Sequence, residues 1–188
     1  MGRDKASLLF GDELMLQRVV RLVSQVVEPK CIVCVAAAGQ DLPKIPCEVR
    51  VAHDRQPDRG PLEGLAVGLA TLDDDVAAAY AHSCEVPLLA PAFVQRMFEQ
   101  LGNHDIVVPR DGKFHHPLAA VYRPRVLPEI EALLAVARLR PVFLFDECDT
   151  RQVSVDALRD VDPELHSLLN CNRPDDYQRA LALVGFAD

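Results

Sequence analysis

Apolar positions recur along the chain at two periods. From Leu14 to Val27 they fall at 14, 16, 19, 20, 22, 23, 26 and 27, one face of a helix, and Pro29 stops the pattern. Cys31 to Ala37 is a continuous apolar, β-branched run of strand length. Val49 to Ala52 is a second, running into His53 and Asp54. Pro61 opens a helix in which Gly60, Gly64 and Gly68 stand four residues apart, so one of its faces admits close approach. A third apolar run, from 76 to 82, closes on Cys84, Glu85 and Pro87. Pro91 to Leu101 is a helix with Phe93, Val94, Met97, Phe98 and Leu101 as its buried stripe. Asp105 to Val108 and His116 to Tyr122 are expected as strands, the second beginning on a proline position that strands tolerate. Pro128 to Leu139 is a helix ended by Pro141, Arg151 to Val155 an edge strand, and Pro174 to about Val184 the last helix.

Strand and helix alternate throughout, with no repeat and no linker. This predicts a three-layer α/β fold with a mostly parallel sheet, in a single domain spanning 1–188. In such sheets ligands bind beyond the carboxyl ends of the strands. Glu85 follows one of those ends, where a carboxylate suits a metal or a substrate; alternatively it caps the helix near Pro91 or is simply solvated.

Composition narrows the function classes. A net charge of −8 disfavours general affinity for nucleic acid or for an anionic membrane surface. No apolar stretch approaches membrane-spanning length, and no secretory h-region follows Met1-Gly-Arg-Asp-Lys5. The six cysteines lack paired metal spacing. Cys31-x-x-Cys34 sits in a β-branched run that reads as strand interior, so a reducing, cytoplasmic setting is expected.

Five stretches, in order, carry a family resemblance. They are Met1-Gly-Arg-Asp-Lys-Ala6 with Leu8-Leu-Phe-Gly11, Asp58-Arg-Gly-Pro-Leu-Glu-Gly-Leu-Ala-Val-Gly-Leu69, Ser83-Cys-Glu-Val-Pro-Leu-Leu89, His116-Pro-Leu-Ala-Ala-Val-Tyr122 and Leu169-Asn-Cys-Asn-Arg-Pro-Asp-Asp176. With these the chain resembles the MobA-like molybdenum cofactor guanylyltransferases, within the wider α/β nucleotidyltransferases of Rossmann-like fold. The resemblance implies transfer of GMP from GTP to molybdopterin with release of pyrophosphate, aided by Mg2+. It also implies transient contact with molybdoenzymes or molybdopterin-delivery proteins. Lys5 matches the family's phosphate-binding lysine, Glu85 stands at its metal-binding aspartate, and Asp54 at an acidic nucleotide-binding position. Gly60, Pro61, Leu62 and Gly64 would bring backbone and a helix N-terminus to the nucleotide. Asn170 and Asn172 would contact the second substrate, and His116 completes the candidate set.

Two departures qualify the resemblance. Members of the family open with a strand and a Leu-Ala-Gly-Gly loop before the methionine that corresponds to Met1, so such a strand is expected upstream. Glu85 replaces aspartate, and its extra methylene shifts the carboxylate by about 1.5 Å, where a misplacement of about 1 Å can cost roughly a hundredfold in rate. The competing readings are a cytidylyl or sugar-phosphate nucleotidyltransferase and a non-catalytic nucleotide-binding relative.

Overall fold

The computed structural model describes residues 4–186; Met1, Gly2 and Arg3 of the first motif lie outside the described residues. Leu9–Phe10 (β1) and Glu13–Leu14 (β2) form an antiparallel hairpin around Gly11, whose φ of 67° favours glycine. Met15–Val23 (α1) is shorter than the apolar spacing through Val27 implies. Ser24 Oγ donates to Val20 O at 2.7 Å, and tighter turns replace the helix beyond it. Val33–Ala36 (β3) starts later than the apolar run, because Pro29–Cys31 forms a 3-10 turn. Cys31 is therefore an exposed turn residue, and only Cys34 belongs to the strand.

Arg50–His53 (β4) pairs in parallel with β3, and Gly60–Ala70 (α2) follows. Ala79–His82 (β5) and Pro91–Leu101 (α3) come next, the helix with the bounds that its apolar stripe and Pro91 predict. Ile106–Asp111 (β6), Phe114–His115 (β7) and Ala119–Tyr122 (β8) build a bulged hairpin. The expected strand from His116 starts three residues late. His116, Pro117 and Leu118 form a turn closed by Ala119 N donating to His116 O at 3.0 Å, and Pro117 has no N–H for a ladder. Leu127–Ala135 (α4) stops short of Leu139, and Ala137 adopts φ 56° just beyond it. Pro141 then initiates a further helix, Val142–Glu147 (α5), rather than only ending one. Thr150–Ser154 (β9) and Pro174–Leu183 (α6) complete the elements.

In the main sheet β8 lies between β5 and β6, β7 pairs with β6 on the same edge as β8, and β9 takes the other edge of β6. β5 and β6 both run against β8 and so point the same way, and β9 is parallel to β6. Side chains alternate between two covered faces. Ile106, Val108, Ala120 and Tyr122 pack with Leu62 of α2 and Ile130 of α4. Val107, Ala119 and Val121 pack with Phe93 and Met97 of α3. These are the three layers that strand–helix alternation predicts. Among the described residues no helix is long and apolar enough to cross a membrane.

The β3–β4 pair is separate from this sheet. Between them lies an apolar cavity of about 820 Å³, lined by Val33 and Val35 of β3 and Ala79 and Ala81 of β5, with α1, α2 and α3 side chains around it. Among the described residues β3 has a ladder partner only in β4, and β5 only in β8. The facing edges of both strands border the gap. Ser83, Cys84 and Asp54 mark its mouth, where β4 and β5 end.

Candidate active site

The carboxyl ends of the strands carry the chemistry-bearing side chains. After β5, Ser83 begins a tight turn: Glu85 N donates to Ser83 Oγ at 3.2 Å, and Val86 N to Ser83 O at 3.2 Å. Pro87 O accepts from Arg18 Nε of α1 at 2.7 Å, which fixes the turn against that helix. Glu85 thus leaves the sheet at a defined point instead of entering α3, whose first turn has no acidic side chain.

Lys5 meets Glu85 there. Asp4 caps a single 3-10 turn at Lys5–Ser7, accepting from Ala6 N at 3.2 Å and Ser7 Oγ at 3.1 Å, while Gln40 Nε2 donates to Asp4 Oδ1 at 2.9 Å. That cap aims Lys5 across the mouth, where Nζ donates to Glu85 Oε1 at 2.7 Å and to Asn172 Oδ1 at 3.0 Å. Asn172 arrives from the far end of the chain because Cys171 N donates to Glu85 O at 2.8 Å. The segment before it is held by Asp162, which accepts from His166 N at 3.0 Å and Ser167 N at 2.7 Å. Ser167 Oγ in turn accepts from Ala90 N at 2.9 Å. One ammonium, one carboxylate and one amide oxygen therefore converge from three distant parts of the sequence.

The second group lies on the β4–α2 side of the mouth. Asp54 follows β4, its N donating to Ala36 O at 2.8 Å. Its Oδ1 is buried with no hydrogen-bond partner in the protein. Desolvation, and then the nearby Glu63 carboxylate, hold its pKa above the ordinary carboxylate range. Gly64 passes beside it: a Cβ there would lie 3.7 Å from Asp54 Oδ1, so the bare backbone leaves room next to the carboxylate. Gly60, Pro61 and Gly64 line the same cavity as Asp54. Leu62 does not. Its side chain is fully buried against Ala66, Ile106 and Ile130 and anchors α2 in the core, so a ligand would meet its backbone rather than its side chain.

His116 stands in the turn before β8, and burial lowers its pKa, opposed by Asp111. The pairing of His82 with Ala119 puts that turn beside the Ser83–Glu85 segment. Among the described residues no hydrogen bond joins it to the Lys5 cluster. Asn170 is exposed, on the segment leading to Asn172.

Sequence reasoning missed the network that fixes the Asp54 loop. Arg55 donates through Nε to Glu63 Oε1 at 2.9 Å and through NH1 to Glu131 Oε1 at 2.8 Å. Glu63 is 3 % exposed, and the Arg55 guanidinium lowers its pKa. Arg59 NH2 donates to Leu134 O, so two arginines bind this loop to α4. A charged residue inside the apolar run of α2 is the one sequence signal that could have found it.

The family described as "MobA-like NTP transferase domain" matches residues 1–153. The chain is 32% identical to a probable molybdenum cofactor guanylyltransferase of Methanosarcina mazei, over 95% of this chain and 82% of that protein. It is 34% identical to a probable molybdenum cofactor guanylyltransferase of Mycobacterium avium, over 97% of this chain and 88% of that protein. Among solved structures, molybdopterin-guanine dinucleotide biosynthesis protein A of Archaeoglobus fulgidus superposes with a TM-score of 0.77 at 19% identity, covering 98% of this chain and 92% of that one. That likeness bears out the Rossmann-like nucleotidyltransferase fold.

Proposed function

The chain belongs to the MobA-like NTP transferase family and is a nucleotidyltransferase, and from that premise we propose that it transfers GMP from GTP to molybdopterin. The terminal phosphate of the acceptor attacks the α-phosphorus, the bond from that phosphorus to the bridging oxygen breaks, and pyrophosphate leaves. The observation that carries this reading is the convergence of Lys5, Glu85 and Asn172 at the carboxyl edge, across the cavity mouth from Asp54 and Gly64. Such transfer depends on positioning and on neutralising phosphate charge, with little covalent work for the protein.

Each residue has a task in that scheme. Lys5 places its ammonium against the phosphates. Asp54, unpaired and partly desolvated, accepts from the N–H edge of the base, where a bound donor favours its ionised form. Gly60, Pro61 and Gly64 let the nucleotide approach α2. His116, Asn170 and Asn172 face the acceptor side.

Mg2+ fits this donor set. Glu85 Oε1 carries the contact with Lys5, which leaves its second oxygen for a cation. Among the described residues no three His, Cys, Asp or Glu side chains cluster as a metal site. The remaining ligands would come from substrate phosphates and water, as is usual for Mg2+. When bound, the ion would screen the charge that builds up on the phosphates.

In this reading the chain is one domain, working in the cytoplasm and meeting molybdopterin-delivery proteins or molybdoenzymes transiently.

The test is pyrophosphate release by the native protein with molybdopterin and each of the four NTPs. GTP alone supporting release is the expected result. Release with CTP, or with a sugar phosphate as acceptor, would favour the cytidylyl or sugar-phosphate reading, and no release with any pair the non-catalytic one.

A further inference from the structure

The β6–β7 hairpin carries a feature that folding does not explain. Phe114 is 76% exposed, the most exposed large apolar side chain among the described residues. Its neighbour His115 packs instead on the ring of Phe145, 5.2 Å between centroids, on the α5 side of the sheet. Successive residues of a strand point to opposite faces, so Phe114 points to the other side, the one covered by α3. The segment leading to Asn172 packs on that same side through Leu165 and Leu168.

Register places the hairpin beside the site. Val107 pairs with Val121 and Arg110 with His115, so β7 prolongs the line of β8 along β6. Ala119 pairs with His82 of β5, three residues before Glu85. Asp111 pairs with Phe114, four residues along β6 from Val107. Phe114 therefore lies beyond the level where β5 ends, in the line of β8, the strand that pairs with β5.

The hairpin carries two cations, Arg110 and Lys113, against one carboxylate, Asp111, and among the described residues none of the three is ion-paired. Arg110 Nε donates to Gly112 O at 2.7 Å and NH1 to Gln152 Oε1 at 2.8 Å, both neutral acceptors. Lys113 is exposed, and among the described residues no carboxylate lies within ion-pair distance of it. In a protein of net charge −8, an exposed aromatic ring next to such cations matches a planar, anionic ligand.

We propose that the β6–β7 hairpin is the acceptor-binding arm of the active site, with Phe114 stacking on the planar pterin of the acceptor and Lys113 facing its negative charge. The proposal rests on the guanylyl-transfer reading and deepens it: the acceptor phosphate lies at Lys5 and Glu85, and its ring system extends along the sheet edge to the hairpin. Stacking on a flat ring is sequence-tolerant chemistry, so Tyr at this position keeps the contact and Ala loses it.

The experiment compares wild type, Phe114→Ala, Phe114→Tyr and Lys113→Ala by steady-state pyrophosphate release, varying GTP and molybdopterin separately. Phe114→Ala is expected to raise KM for molybdopterin about tenfold with kcat and KM for GTP unchanged, and Phe114→Tyr to restore it. Lys113→Ala is expected to give a smaller rise, diminished by added salt. An unchanged acceptor KM in Phe114→Ala, or an equal rise in KM for GTP, would overturn the proposal, including if the ring serves a protein partner instead. Absence of turnover in the wild type would sink the transfer reading itself and would be read from the wild-type arm alone. Phe114 is solvent-facing, so its variants fold as wild type does.

Discussion

Lys5 and Glu85 are 80 residues apart in the sequence and 2.7 Å apart in the fold, with Asn172 3.0 Å from the same ammonium. Both partners of the ion pair are partly solvent-exposed, with side-chain exposures of 23% and 27%, so it adds little to stability. Its value lies in pre-arranging charge where phosphates arrive. Glu85→Gln and Lys5→Met are each expected to lower kcat about a hundredfold or more while the thermal midpoint stays within a few degrees. Steady-state rates beside a melting curve check both halves. Glu85→Asp is the finer probe, since it moves the carboxylate rather than deleting it. A rate unchanged in that variant would mean that Glu85 is not the critical ligand.

Asp54 gives a pH-dependent prediction. Its folded pKa is raised, so the folded protein holds that proton to higher pH than the unfolded chain does. Stability contributed by the neutral form is present at low pH and lost as pH rises through the folded pKa. Asp54→Asn should therefore melt higher than wild type at pH 7, with the difference closing towards about pH 3, where the unfolded carboxyl is also protonated. The same variant should bind GTP more weakly, because an amide offers a weaker acceptor than a carboxylate. Calorimetry across pH and nucleotide titration read the two effects separately.

Gly11 closes the β1–β2 hairpin at φ 67°, and a Cβ there would meet the Phe186 ring at 2.5 Å. Gly11→Ala should cost about 1–2 kcal/mol in a denaturant titration, part of it from backbone strain and part from displacing that ring. Phe93, fully buried beneath the sheet, is the core control: Phe93→Ala should cost about 3–5 kcal/mol.

The strand–helix alternation and the bounds of α3 were legible because period and proline agreed there. Other bounds were not. Periodicity carried the first helix to Val27, but the Ser24 hydroxyl turns back to Val20 O and the helix ends. Pro141 read as a stop, yet the same fixed φ that ends one helix can begin the next, α5. At the site, the resemblance pointed to Lys5, Glu85 and Asn172, but periodicity carries no information on which strand-end residues meet. The motif did not reveal that the Leu62 side chain turns into the core while its neighbours Gly60, Pro61 and Gly64 line the cavity. The Arg55 network joins residues 8 and 76 positions apart, and Glu63 inside the apolar run of α2 is its one local trace in the sequence.

The most direct measurement follows label from GTP, marked at the α- or the γ-phosphorus, through a reaction with molybdopterin and the native protein. Transfer of the α-label to the acceptor, with the γ-label recovered in pyrophosphate and both lost in Glu85→Gln, is the result expected. An acceptor that stays unlabelled, or that takes the γ-label, would contradict guanylyl transfer at the Lys5–Glu85 site.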